Sequence, residues 1–195
     1  MPRSSTLPKL ILLAVMLTAF ATPSGARCGV ERQAVKTLQD AASGRVKLIP
    51  TRSTIARLAA LPRPDAVPAT RSLPDVRALA ETHSYILRNV VLKCWRLEPD
   101  GDYHIVLGDG AASIIAEVPD PACMGISPAR NQAAAVRARL IAQLGPASAG
   151  RCAAVAQVVT VQGVLFFDAV HGQIGVAPNG VELHPVTRIC FSRDC

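Results

Sequence analysis

The chain has 195 residues, half of them hydrophobic, with 18% charged and 4% aromatic residues and a formal net charge of +7. That is enough apolar material for one domain with a core and an extension, and too apolar for a disordered chain. Residues 27–80 carry ten Lys/Arg against four Asp/Glu, and residues 81–195 nine against ten, so the C-terminal part lacks the clustered basic footprint of nucleic-acid binding.

Residues 1–26 read as a signal peptide. Arg3 and Lys9 form a positive start, Leu10 to Phe20 is an apolar run too short to span a bilayer, and small-residue cleavage sites follow at Ala19-Phe20-Ala21 and Ser24-Gly25-Ala26, the second favoured. Arg27 before Cys28 argues against a lipoprotein. No later segment is long and apolar enough to be a transmembrane helix. The expected location is therefore periplasmic or extracellular, and six cysteines in such a compartment favour disulfide bonds. Cys28, Cys94, Cys123, Cys152, Cys190 and Cys195 are the candidates. Cys123 and Cys152 bracket one predicted helix and could staple it, while Cys28 and Cys195 lie near the two ends. The spacing lacks the close Cys pairs of a zinc site.

Residues 27–80 form an N-terminal extension that Pro50, Pro62, Pro64, Pro68 and Pro74 interrupt. Ser53 to Leu61 predicts a short helix capped by Ser53, Leu61–Pro74 reads as linker, and Val46, Leu48, Ile49 and Cys28 are the groups expected to dock on the rest. Residues 81–195 form the predicted domain. His83 to Leu97 is a long strand, Pro99 to Asp102 a turn, and Tyr103 to Leu107 an alternating strand with His104 and Val106 facing away from Tyr103, Ile105 and Leu107. Ser113 to Val118 makes a third strand. A helix follows, with Ser127 as its cap and Ala133, Val136, Leu140, Ile141 and Leu144 as its apolar face. Val155–Phe167 and Val181–Phe191 are the last two strands. The order β-β-β-α-β-β is that of a five-stranded OB-like β-barrel; an SH3-like barrel and a small open sheet are the rivals, and the long first strand and the helix position favour OB, so the fold class expected is mainly β.

In that fold ligands meet the strand 2–3 face and the loops joining strands 1–2 and 4–5. Those loops are Glu98–Asp102 and Asp168–Gly180. The expected ligand-binding residues are His171, Gln173, Asn179, Glu182, His184 and His104. His171, Glu182 and His184 also have donor types suited to a divalent metal, and Glu182 and His184 share a strand face. His104 and Glu117 join them if their faces agree. No catalytic residue is assigned: no G-x-S-x-G elbow occurs, oxidised cysteines are not nucleophiles, and Asp120 between two prolines reads as a turn residue. Tyr85, Trp95, Tyr103, Phe166 and Phe167 lie in apolar runs and are expected in the core rather than as base-stacking platforms.

The pieces Cys28 to Thr37, Asp100 to Leu107 (DGDYHIVL), Ile115 to Cys123 (with EVPDPAC) and Val164 to Gln173 with Asn179 to Pro185 (NGVELHP) resemble a family of exported bacterial proteins to which no activity is attached. The resemblance covers most of the chain after residue 26 and implies that residues 28–49 belong to the folded unit. It departs at Gln33, where the family pattern has a Trp. The leading expectation is an exported, disulfide-stabilised binding module for a small ligand or an envelope protein, with no cofactor and no nucleic acid. The alternative is a metal-dependent hydrolase or nuclease built on His171, Glu182 and His184.

Overall fold

The computed structural model describes residue 1 and residues 28–69 and 73–191. The expected signal peptide, the last four residues with Cys195, and part of the Leu61–Pro74 stretch lie outside the described residues.

The protein is mainly β. Strands β1 (Lys47–Ser53), β2 (His83–Leu97), β3 (Tyr103–Asp109), β4 (Ala112–Val118), β5 (Ala153–Phe167) and β6 (Val181–Cys190) form one mixed sheet in the order β1-β2-β3-β4-β6-β5. β5 also pairs antiparallel with β2, so β2 to β6 close into a ring. β4 and β6 are parallel neighbours; the other ring pairings are antiparallel. β2 serves three neighbours, β1, β3 and β5, because it bends: its register shifts at Leu87/Val90, where Asn89 has φ 55°, and again at Leu92/Cys94. Such bulges add local twist and turn a strand from one partner to the next.

The predicted β2, β3 and β4 are present, and the two later strands begin or end within two residues of expectation. The extension is more regular than its prolines suggest. It holds α1 (Gln33–Lys36), β1 parallel to the first half of β2, and α2 (Ile55–Ala59). Pro50 is tolerated because β1 is an edge strand, where a missing N–H need not break a ladder. The cap of α2 is Thr54, whose hydroxyl accepts from the Arg57 N–H, rather than Ser53. Val46 and Leu48 pack against the core as expected, but Ile49 is exposed. The long helix α3 spans Arg130–Leu144. Its N-cap is Ala129, and the Ser127 hydroxyl instead accepts from the Ala129 N–H in the preceding turn. Ala133, Val136 and Leu140 are buried, whereas Ile141, expected on that face, is largely exposed.

The disulfides also differ from the expected staple. Cys28 bonds Cys123, and Cys94 bonds Cys152. Cys123 and Cys152 therefore do not join each other; one ties the extension to the end of β4, and the other ties β2 to the start of β5. Cys190 is disulfide-bonded too.

Strand alternation sorts the ring into two faces. Inside lie Leu92, Trp95, Ile105, Leu107, Ile114, Ala116, Val161, Leu165, Phe167 and Leu183. Trp95 and Tyr103 meet edge to face at 5.2 Å, and all four of Trp95, Tyr103, Phe166 and Phe167 are buried, which leaves none of them as a stacking platform. The outer face of β3, β4 and β6 carries His104, Val106, Ile115, Glu117, Glu182 and His184. The pairings His104↔Glu117 and Ile115↔Glu182 put them side by side. This outer face is not open surface: residues 28–36 and the 168–180 loop fold over it.

Candidate functional site

Two segments cover the outer face, each held by its own chemistry. The extension is anchored by Arg32, which uses all its donors: to both oxygens of Glu81, and to the carbonyls of Pro74, Val76 and Phe167. The 168–180 loop lies directly on β3. Gly175 has φ 87°, and a Cβ there would stand 2.5 Å from Val106 Cγ1, so only glycine permits the approach. The Ile174 carbonyl then accepts from His104 Nε2 at 3.1 Å.

Between the two segments lies a pocket of about 330 Å³. Its wall includes six carboxylates (Glu31, Glu98, Asp100, Glu117, Asp168 and Glu182) against two permanent cations, Lys36 and Arg96, with His104 and His171 beside them. Behind the wall a chain of charged groups runs into the protein. His104 Nδ1 is 3.0 Å from Glu117 Oε1 and 3.5 Å from Glu98 Oε1. His184 Nδ1 is 3.2 Å from Glu117 Oε2, and its Nε2 is 3.4 Å from Asp102 Oδ2. The two His184 contacts lack hydrogen-bond alignment, so they act as charge–charge attraction. Asp102 is in turn fixed by accepting the Asp120 N–H. Asp120 itself caps a turn through the Ala122 N–H, as its flanking prolines imply.

These contacts determine protonation. A carbonyl only accepts, so His104 Nε2 carries a hydrogen, and a carboxylate facing Nδ1 requires a second. Burial opposes the charged imidazole, but the hydrogen bond and field of Glu117, with the Ile174 carbonyl, hold His104 above its ordinary value. His184 is likewise raised: burial works against the cation, and Asp102 and Glu117 outweigh it. Glu117 is held well below the usual carboxylate range, because the hydrogen bond from His104 and the attraction of His184 overcome its burial. Glu182 goes the other way. Burial, and then the fields of Glu117 and Asp168, push its carboxyl well above the usual range. Lys36 lies 5.6 Å from the Phe166 ring centre. Burial disfavours its charge, but Glu117, Asp168, Glu182 and Asp102 together raise it, so it stays an ammonium and is not a nucleophilic amine.

No family model and no curated protein matches this chain. Among solved structures it is similar to a chain from Leishmania major Friedlin assigned as an aspartyl-tRNA synthetase, with 14% identity and a TM-score of 0.38 over 74% of this chain. The match spans 21% of that longer chain, and the score is too low to show a shared fold.

The expected site residues divide into three groups. His104 and Glu182 line the pocket with His171 and Gln173, from β3, β6 and the 168–180 loop. His184 is fully buried behind them. Asn179 is a tether: its amide donates to the Leu58 and Leu61 carbonyls and its oxygen accepts from the Val181 N–H. Gln173 braces the loop by accepting from the His171 N–H and donating to Ala169. The metal set His171, Glu182 and His184 is not brought together. Among the described residues, the groups whose donor atoms lie within 4.8 Å of one another are Glu98–His104–Glu117 and Asp102–Glu117–His184. Sequence reasoning missed Lys36, Asp102, Asp168 and Glu98 as parts of the site. Glu98, Asp102 and Asp168 had a signal, their place in the strand 1–2 and 4–5 loops; Lys36 had none.

Proposed function

We propose that this protein is an exported, disulfide-stabilised binding module of OB-like topology, and that its ligand is a small cation held in the pocket over β3, β4 and β6. The connectivity supports the OB-like reading. Three antiparallel strands, a helix, and two further strands with β4 parallel to β6 and β5 closing on β2 match the five-stranded Greek-key ring. The pocket then lies on the face where that fold meets ligands. Cys28–Cys123 and Cys94–Cys152 support export, because such bonds persist in oxidising compartments.

One observation carries the ligand class. Glu31 Oε1, Asp168 Oδ1 and Glu182 Oε2 are buried acceptors without a hydrogen-bond partner, and all three residues line this pocket. An unmet buried carboxylate oxygen is costly until a donor or cation reaches it. The same wall repels phosphate, so single-stranded nucleic acid is a poor occupant.

The test is titration calorimetry of the purified chain with three probes: spermidine, manganese chloride and citrate. At least one cation binds the wild type and binds Glu182→Gln more weakly, and citrate does not bind. Binding of citrate alone, or of none of the three, overturns the reading.

A further inference from the structure

We propose that Glu98, His104 and Glu117 form a divalent-metal site opening into this pocket. The inference deepens the cation reading above and rests on it.

His104 Nε2 must donate to the Ile174 carbonyl, 3.1 Å away. That fixes the ring and leaves Nδ1, whose hydrogen goes to Glu117 when no ion is bound, as the nitrogen that would exchange its proton for a metal, the arrangement in which metal-binding histidines are held by a backbone acceptor at the other nitrogen. Nδ1 faces Glu117 Oε1 at 3.0 Å and Glu98 Oε1 at 3.5 Å. The three atoms lie within 4.8 Å of one another, and metal binding would release the Nδ1 proton that otherwise lies between them. An ion about 2.0–2.2 Å from each is compatible with such separations.

The donors come from stiff supports. His104 and Glu117 are register partners across β3 and β4, and Glu98 follows the end of β2. Arg96 grips Glu98 Oε1 through Nε at 2.8 Å and Nη2 at 2.6 Å, orienting that carboxylate as an outer-shell partner does.

A second observation points to the same place. Glu182 is 1% exposed, its Oε2 has no partner, and it lines the same pocket. Three protein donors leave coordination positions for water, and an unsatisfied carboxylate oxygen on the wall accepts from such a water. One imidazole with two carboxylates suits manganese, iron(II) or zinc better than a soft ion such as copper(I). His83, at the start of β2, lies outside this pocket.

Protein stripped with chelator and desalted is titrated calorimetrically with manganese chloride and with zinc chloride. The variants are Glu98→Gln, His104→Gln, Glu117→Gln and His83→Ala, each checked by circular dichroism and metal-free melting temperature. One ion per wild-type chain is expected, with affinity reduced at least about tenfold in Glu98→Gln, the loss already typical for outer-shell partners, and unchanged in His83→Ala. Glu98 is partly exposed and already bound to Arg96, so its variant should fold even if His104→Gln or Glu117→Gln does not. Absence of a stoichiometric ion overturns the proposal. So does an ion that Glu98→Gln binds as the wild type does, or one lost on His83→Ala. If spermidine binds where neither metal does, the cation pocket stands and the metal site falls. If no cation binds, both fall.

Discussion

Arg32 and Glu81 meet fork to fork, Nη1 to Oε1 at 2.7 Å and Nη2 to Oε2 at 2.8 Å, with both side chains fully buried. Glu81 also accepts from the Phe167 and Ala78 N–H groups, so one ion pair joins the extension, the segment before β2 and the end of β5. A buried pair of this kind costs much to break and little to replace, because removing one partner strands the other charge. Arg32→Met or Glu81→Leu alone should lower unfolding free energy by about 3–5 kcal/mol. The double variant should lose less than the worse single variant. Urea denaturation of the three variants checks this; strict additivity of the two losses would contradict it.

The 168–180 loop gives a sharper contrast between two glycines. Gly172 and Gly175 have φ of 85° and 87°. A Cβ at Gly172 meets open space, whereas at Gly175 it collides with Val106. Gly172→Ala should cost about 1–2 kcal/mol for the left-handed backbone alone. Gly175→Ala should cost about 1–3 kcal/mol more for overpacking and should lift the Ile174 carbonyl from His104, weakening cation binding. Thermal melts and calorimetry of both variants separate the two effects.

Much of this site was legible in the sequence, and the reason is strand periodicity. Alternation from Tyr103 places His104 on the outer face, and the Glu182–His184 spacing places both on one face. The pairing of His104 with Glu117 follows once the short β3–β4 turn sets the register. What the sequence hides is convergence from a distance. The near balance of charge over residues 81–195 conceals five carboxylates around one pocket, with Glu31 and Lys36 supplied from the extension. Arg32 and Glu81 are 49 positions apart, and nothing local marks either as buried. The prolines of the extension obscured β1, since an edge strand tolerates a residue that a central strand would reject. Adjacent Ser53 and Thr54 are equivalent cap types, so the one that caps α2 depends on where the chain leaves β1.

The pH dependence follows from the shifted groups. His104 and His184 are raised above their ordinary 6.5. Their stabilisation is therefore full below that value and is lost as pH rises through the raised folded values. Glu182, raised above its ordinary 4.5, acts in the same direction: the folded form keeps a proton that the unfolded chain releases above 4.5. Glu117 is depressed, so its contribution is present above 4.5 and is lost as pH falls through the lower folded value. Together they place the stability maximum on the mildly acidic side and a decline through neutral to alkaline pH. In chelator, Glu182→Gln should flatten part of that decline, because an amide resembles the protonated carboxyl. Denaturant midpoints at about pH 5 and about pH 8 measure it. A wild type more stable at the higher pH would contradict the assignment.

The Cys28–Cys123 and Cys94–Cys152 disulfides should separate stability from binding. Cys28–Cys123 closes 95 positions and Cys94–Cys152 closes 58. Since loop-closure entropy grows only with the logarithm of length, replacing either pair by serine should cost a similar amount, about 2–5 kcal/mol. Their places differ. Cys28 directly precedes Gly29, Val30 and Glu31, which line the pocket, whereas Cys94 and Cys152 join β2 to the start of β5 and neither they nor their chain neighbours line it. Loss of the first pair frees the segment that carries Glu31 and removes one wall of the pocket. Loss of the second leaves that wall in place. Cys28→Ser with Cys123→Ser should therefore weaken cation binding at a temperature where the protein remains folded, and Cys94→Ser with Cys152→Ser should not. Equal affinities in the two variants would mean that the extension covers the pocket without taking part in it.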